Sequence, residues 1–316
     1  MHTYHAIAFS VFTACALAGS PLPIQTNSLE SFGGNSRVNM NEQVIDREDK
    51  SLIGFGRRKQ TGQINSVANA GNGHIQMNDN IAQSTIVDGK LLGNVLTAPR
   101  HKNMQVNDVS TVNGNLQVNG NLAIDRQRDV SILGNPLSLG RNVKDSGQVN
   151  SAVIAGLGSG QMNHNELVSM QNDNNGLLGG SLFGSRKTSE QVNTVVAENG
   201  RGQTNHNHQV VDQTDGSLIG GSTLLPGLGL TTKEAHQVNE VVALEGTVNF
   251  NTLDVNQRDS SAFGGLFQKQ TAQQDNILVG SGELIGNTLT VSQGGFGLLG
   301  KRSIQPEQTL KRRSRI

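Results

Sequence analysis

The sequence predicts an all-β protein, a repetitive β-solenoid or stacked β-arch array of repeats of about 43 residues. Three observations predict it. The chain writes a pair of short strand-like runs five times, with first-run anchors Gln63, Gln105, Gln148, Gln191 and Gln237, spaced 42, 43, 43 and 46 residues apart. Within each run, constrained and variable positions alternate with period 2, which is the period of a strand. The composition is 34% hydrophobic and 3% aromatic, without tryptophan and with 39 glycines in 316 residues, so a repetitive core is easier to build than an aromatic and aliphatic one.

The first run keeps one face nearly fixed: Gln63 and Asn65, Gln105 and Asn107, Gln148 and Asn150, Gln191 and Asn193, Gln237 and Asn239, each followed on the same parity by Val or Ala. The other face holds Ile64, Ser66, Asp108 and Glu240 among others, and carboxylates of this kind are not buried unpaired, so it looks outward. The second run begins 12 to 13 residues later at Gln76, Gln117, Gln161 and Gln203, with Thr247 in the fifth copy. Its fixed face is Asn78 and Asn80, Asn119 and Asn121, Asn163 and Asn165, Asn205 and Asn207, Asn249 and Asn251, while Asp79, Gly120, His164, His206 and Phe250 stand between the two amides. Amides repeated at one position predict ladders between rungs about 4.8 Å apart, beside a thin Val/Ala core.

The array spans 37–300. It opens with half a copy, Arg37-Val38-Asn39-Met40-Asn41, and closes with an eroded one that begins at Gln274-Asp275-Asn276. Copies end in an aliphatic pair and glycine, such as Leu91-Leu92-Gly93 and Leu177-Leu178-Gly179, which marks bends. Pro99, Pro136 and Pro226 follow these motifs, and no proline enters a Gln-x-Asn run, where it would delete a ladder bond.

Residues 1–20 read as a cleaved secretory signal, apolar from Ala6 and ending Ala16-Leu17-Ala18, with the single cysteine, Cys15, inside it. The mature chain would then lack cysteine and rely on backbone ladders. Residues 21–36 read as a flexible leader, and 301–316 as a basic tail. Zero net charge and pI near 7.1 give no electrostatic case for a nucleic-acid partner. No Asn-x-Ser/Thr acceptor occurs, which suits a chain whose amide ladders a glycan would disrupt.

The segments from Gln148-Val149-Asn150 to Gln161-Met162-Asn163 and from Gln191-Val192-Asn193 to Gln203-Thr204-Asn205-His206-Asn207 resemble the Gln/Asn-anchored repeats of secreted functional amyloid subunits of the curli and Fap kinds. The resemblance covers about 37–300, with a longer and more variable period here. It implies a stacked β-arch repeat outside the cell, without catalysis.

No catalytic constellation is present, and no cofactor or metal is expected. The Gly-rich segments lie between repeats and not between a strand and a helix, so they are bends and not phosphate cradles. His206 and His208 offer two imidazoles, but on the variable face and without a thiol, and they read as solvent-facing. Asp46, Asp88, Asp125 and Asp212 each follow Ile or Val after the second run; without the Gly-Gly-x-Gly-x-Asp pattern of stacked calcium turns they read as capping or Asx-turn residues. Basic residues between copies, including Lys59, Lys144, Lys187 and Lys233, read as exposed charge that limits edge pairing, with Arg58 and Arg302 as dibasic processing positions.

The expected function is that of a secreted, non-enzymatic structural or adhesive protein of a cell surface, wall or extracellular matrix. Self-association is expected, with wall or surface polymers as further partners and no membrane contact after signal cleavage. The alternative is a secreted precursor cut at dibasic sites into repeat peptides that act as signals or effectors.

Overall fold

The computed structural model describes residues 6–11, 24–32, 36–51, 58–70, 75–91, 100–112, 116–131, 141–155, 160–175, 185–198, 203–216, 231–259, 267–295 and 301–313. Among them there is no helix and every pairing is parallel, with one register shift, between Val242 and Glu245. Strands fall into two stacks. The first holds β2 (Ile24–Phe32), β4 (Arg58–Ala70), β6 (Arg100–Val112), β8 (Asn142–Ala155) and β10 (Ser185–Glu198). The second holds β1 (Ala6–Val11), β3 (Ser36–Ser51), β5 (Ile75–Lys90), β7 (Leu116–Ser131), β9 (Gly160–Asn175) and β11 (Gln203–Gly216). Strands β12 (Thr231–Asp259) and β13 (Phe267–Gly295) run through both, and β14 (Lys301–Arg313) pairs with the first part of β13. The product is a β-solenoid in which one two-stranded repeat makes one rung.

Register follows the amides. Gln63 pairs with Gln105, Gln148 with Gln191, and Gln191 with Gln237; in the second stack Asn80 pairs with Asn121 and Asn165 with Asn207. A one-residue slip would turn every amide outward, so the pattern holds each strand in place. The half copy is β3, with Asn39 and Asn41 opposite Asn78 and Asn80, and the eroded copy is β13, with Gln274 and Asn276 opposite Gln237 and Asn239.

Two segments differ from expectation. Residues 24–32, read as leader, form β2, whose Gln25 and Asn27 stand opposite Gln63 and Asn65. Gln25-Thr26-Asn27 is itself a Gln-x-Asn run, and so the chain extends the ladder one rung further than the leader reading allows. Residues 6–11, inside the expected signal, form β1 against Arg37–Glu42 of β3. The bend motifs fall outside the described residues apart from Leu91, as do Pro99, Pro136 and Pro226.

Among the described side chains the inward faces are buried and mostly polar, which is unusual for parallel sheets. Aliphatic residues concentrate in one cluster, Val211, Ala235, Leu253, Val255 and Ala272, with Leu289 and Val291 against it.

Candidate functional site

The interior consists of columns that run along the solenoid axis. Asn65 Nδ2 donates to Asn107 Oδ1, Asn107 to Asn150, Asn150 to Asn193, Asn193 to Asn239 and Asn239 to Asn276, all at 2.8–2.9 Å. In the second stack the same chain of donation runs from Asn80 through Asn121, Asn165, Asn207 and Asn251 to Asn287. The glutamine columns point the other way: Gln105 donates to Gln63, and Gln148, Gln191, Gln237 and Gln274 each donate to the glutamine before them. A further column not singled out in the sequence joins Gln213 to Gln171, Gln257 to Gln213 and Gln293 to Gln257. Each bond contributes about 1 kcal/mol net, and each would leave a buried amide unsatisfied if its partner were removed.

Not every predicted column carries such bonds. Asn119 and Asn163 are buried, yet their Oδ1 atoms have no hydrogen-bond partner, and Asn205 is buried in the same column. The side chains of Asn78 and Asn249 lie outside the described residues. The parity of the second run therefore places both asparagines inside where they are described, and the second asparagine of each pair continues from rung to rung, whereas Asn119 and Asn163 accept nothing from the rung before.

Beside the amides lies a column that the sequence reading missed. Lys59, His101, Lys144, Lys187 and Lys233 occupy equivalent positions in the first stack and are all buried. Across from them Asp88, Asp129, Asp173 and Asp215 occupy equivalent, buried positions in the second. The two columns interdigitate. Lys59 and His101 reach Asp88; Lys144 reaches Asp129 at 3.4 Å and Asp173 at 2.6 Å; Lys187 reaches Asp173 at 3.2 Å and also Asp215; Lys233 reaches Asp215 at 2.9 Å. Lys144 and Lys187 thus each bridge two carboxylates of successive rungs. Lysines read as exposed linker charge are interior, because their even offset from the anchor glutamine places them on its inward face; Arg58, Arg100, Lys102 and Lys269 are the exposed ones.

Burial by itself raises the carboxyl groups of Asp88 and Asp173, but the surrounding cations outweigh it. For Asp88 these are His101, by hydrogen bond and charge, then Lys59 and Lys90; for Asp173 they are Lys144 and Lys187, and both carboxyls lie well below the usual range. Lys187 is the mirror case, since burial would lower it and Asp173 with Asp215 raise it. Asp125 is the exception. Buried without a lysine partner, it is pushed up to about 6 by burial, partly offset by hydrogen bonds from Ser146 and Gln127. The expected capping role for Asp88 and Asp125 is therefore corrected: both are buried within strands, Asp88 near the end of β5 and Asp125 in the middle of β7, while Asp46 is exposed and Asp212 accepts from Asn256. They are not equivalent positions, since Asp46 pairs with Thr85 and Asp125 with Ser84.

Asp88, His101 and Asp129 place one possible ligand atom each within 4.8 Å of one another. His101 Nε2 faces Asp88 at 3.1 Å while Nδ1 faces Asp129 at 3.9 Å, so the ring spans the two carboxylates and does not present one nitrogen to a point they share. Asp88 is also paired with Lys59 and Lys90. His101 fills a lysine position in the column, between two carboxylates.

On the outer face His164 is exposed and His206 half-buried, with their rings edge to face at 5.0 Å. Burial, then His164 and His208, lower the pKa of His206. His208 lies between Glu166 at 3.7 Å and Asp254 at 3.4 Å. Of the processing positions, Arg58 opens β4 with its side chain exposed, and Arg302 lies within β14 opposite Gln268. No protein-family model, curated protein or solved structure matches the chain.

Proposed function

We propose that the chain is a secreted, non-enzymatic structural or adhesive element of a cell surface, wall or extracellular matrix that acts by self-association. One observation carries this reading: the ladders and the bridging ion pairs run along the solenoid axis, so each rung's side-chain bonds are made to the next rung. The same contacts serve whether the next rung belongs to the same chain or to another. Secretion is supported by the apolar segment from Ala6 and its small-residue exit. The burial of Lys59, Lys144, Lys187 and Lys233 counts against general processing between repeats, because a folded array hides those residues from a protease.

Intact-mass analysis of the released protein, followed by sedimentation over a range of concentrations, tests the reading. One chain of near-mature length that forms fibres or sheets with rising concentration is expected. Fragments of roughly one repeat ending at Arg or Lys would establish the precursor alternative instead. A chain that stays monomeric at high concentration under all conditions would leave a monomeric surface adhesin.

A further inference from the structure

The two ends of the solenoid are not built like its middle. β13 crosses both stacks, but among the described residues β14 covers Phe267–Val279 alone, and the second-stack part of β13 pairs with β12 on one side. The composition of β14 differs from that of the strand beneath. Six of its thirteen residues are charged and it contains Pro306, whereas the thirteen residues it covers contain two charges, Lys269 and Asp275, and no proline. Charge and proline are what edge strands use to refuse further pairing.

The cap also fits the amide columns poorly. Buried Asn276 Nδ2 has no partner, and the residue next to it on β14 is Leu310, which has no acceptor oxygen. In the second stack buried Gln293 Oε1, the last acceptor of its column, has no partner either. The ion-pair columns, by contrast, finish cleanly: after Lys233 the cation position becomes Gln270, and after Asp259 the anion position becomes Gly295. The β13 rung thus ends in open amides at Asn276 and Gln293.

The opposite end offers the matching groups. Register places Gln25 in the column of Gln274, Asn27 in that of Asn276, Asn41 in that of Asn287 and Arg47 in that of Gln293. A second copy stacked through its β2–β3 rung would set position 27, an asparagine, over Asn276 with its free donor, and Arg47 over Gln293 with its free acceptor. β1, over part of β3, belongs to the segment read as the signal, so the secreted chain presents β2 and β3 as its first rung.

We propose that β14 is a removable cap, that Lys301–Arg302 is a proteolytic processing site, and that hydrolysis of the peptide bond after Arg302 opens β13 to the β2–β3 rung of a second copy. Hydrolysis consumes one water and leaves Arg302 with a carboxylate and Ser303 with an amino group. The strand is then no longer tethered, its effective concentration beside β13 falls, and it leaves. This inference rests on the self-association reading and adds its control.

The test uses the chain lacking residues 1–20, with Arg58→Gln so that the 57–58 pair is not cut, and a dibasic-specific protease applied to the folded protein. Intact mass locates the cut, gel filtration removes the released peptide, and sedimentation with electron microscopy follows assembly. Loss of the monomer boundary after cutting, with the uncut chain and a Lys301→Gln/Arg302→Gln chain remaining monomeric at the same concentration, is the expected result. A Lys311→Gln/Arg312→Gln/Arg313→Gln chain, protected at 301–302 by the same two changes, should also stay monomeric, because the cap acts as a strand and not as a charge. Equal assembly of cut and uncut chains, or assembly of the neutralised-tail chain, overturns the cap and spares self-association. A monomer in every case overturns both.

Discussion

The early and late rungs share one backbone and one register, yet their interiors are opposite in character. Along one column of the second stack the residues after Ile45 of the half copy are Ser84, Asp125 and Ser169, then Val211 and Val255; along one column of the first they are Thr61, Asn103, Ser146 and Ser189, then Ala235 and Ala272. Apolar burial of about 1.5–3 kcal/mol per side chain stabilises the late rungs, whereas hydrogen bonds and ion pairs occupy the same space in the early ones. The amide columns pass through both regions without a break. Parallel pairing and ladders therefore set the architecture, and the remaining interior may be filled by either chemistry provided that successive rungs match.

The largest expected effect lies at the centre of the ion-pair columns. Lys187→Met removes one of the two lysines that Asp173 pairs with and one of the two that Asp215 pairs with, in a buried setting. Breaking a buried pair from one side costs about 3–5 kcal/mol, and chemical denaturation measures it. A cost below about 1 kcal/mol would mean that the charged columns are passengers on the ladders. These depressed carboxyls stabilise the fold above the ordinary carboxylate range, and the contribution is lost as pH falls through their folded values.

Asp125 sharpens the contrast with the opposite sign. Its folded pKa of about 6 lies above the ordinary value of 3.8, so the folded state holds that proton more tightly; the favourable contribution is complete below pH 3.8 and is lost as pH rises through about 6. Above pH 7 the ionised, buried carboxyl is a net cost of about 3 kcal/mol at most. Asp125→Asn keeps the shape, and thermal melts should show it more stable than the natural chain at pH 7.5 and equal to it at pH 4. A stabilisation that does not change with pH would locate the effect in packing and not in charge.

Repeat spacing and period 2 were enough to read the solenoid, the two stacks and the inward amides, because strand geometry converts parity directly into burial. The charged columns were present in the same text. A cation stands four residues before each anchor, at Lys59, His101, Lys144, Lys187 and Lys233, and an aspartate ten residues after the first asparagine of each second run, at Asp88, Asp129, Asp173 and Asp215. Adjacent basic residues such as Arg58 and Lys59 concealed this, since a dipeptide looks like one charged site although its two side chains point to opposite faces. What parity does not encode is which buried amide bonds to the next rung, because that depends on side-chain torsions within a shared face.

That distinction supplies the smallest and most discriminating effect. Asn165 accepts from Asn121 and donates to Asn207, whereas Asn163, two residues earlier on the same buried face, has an unpartnered Oδ1, and His164 between them is exposed. Asn165→Leu breaks both ladder bonds and strands an amide group on each neighbour, an expected cost of about 2 kcal/mol. Asn163→Leu loses no such column and should cost less, while His164→Ser, on the outer face, should stay within about 0.5 kcal/mol. Denaturant midpoints of the three variants rank them. Equal losses at Asn163 and Asn165 would show that burial of the amide, and not its bond to the next rung, is what stabilises the array, and the continuity of ladders through polar and apolar rungs would then no longer explain why both share one fold.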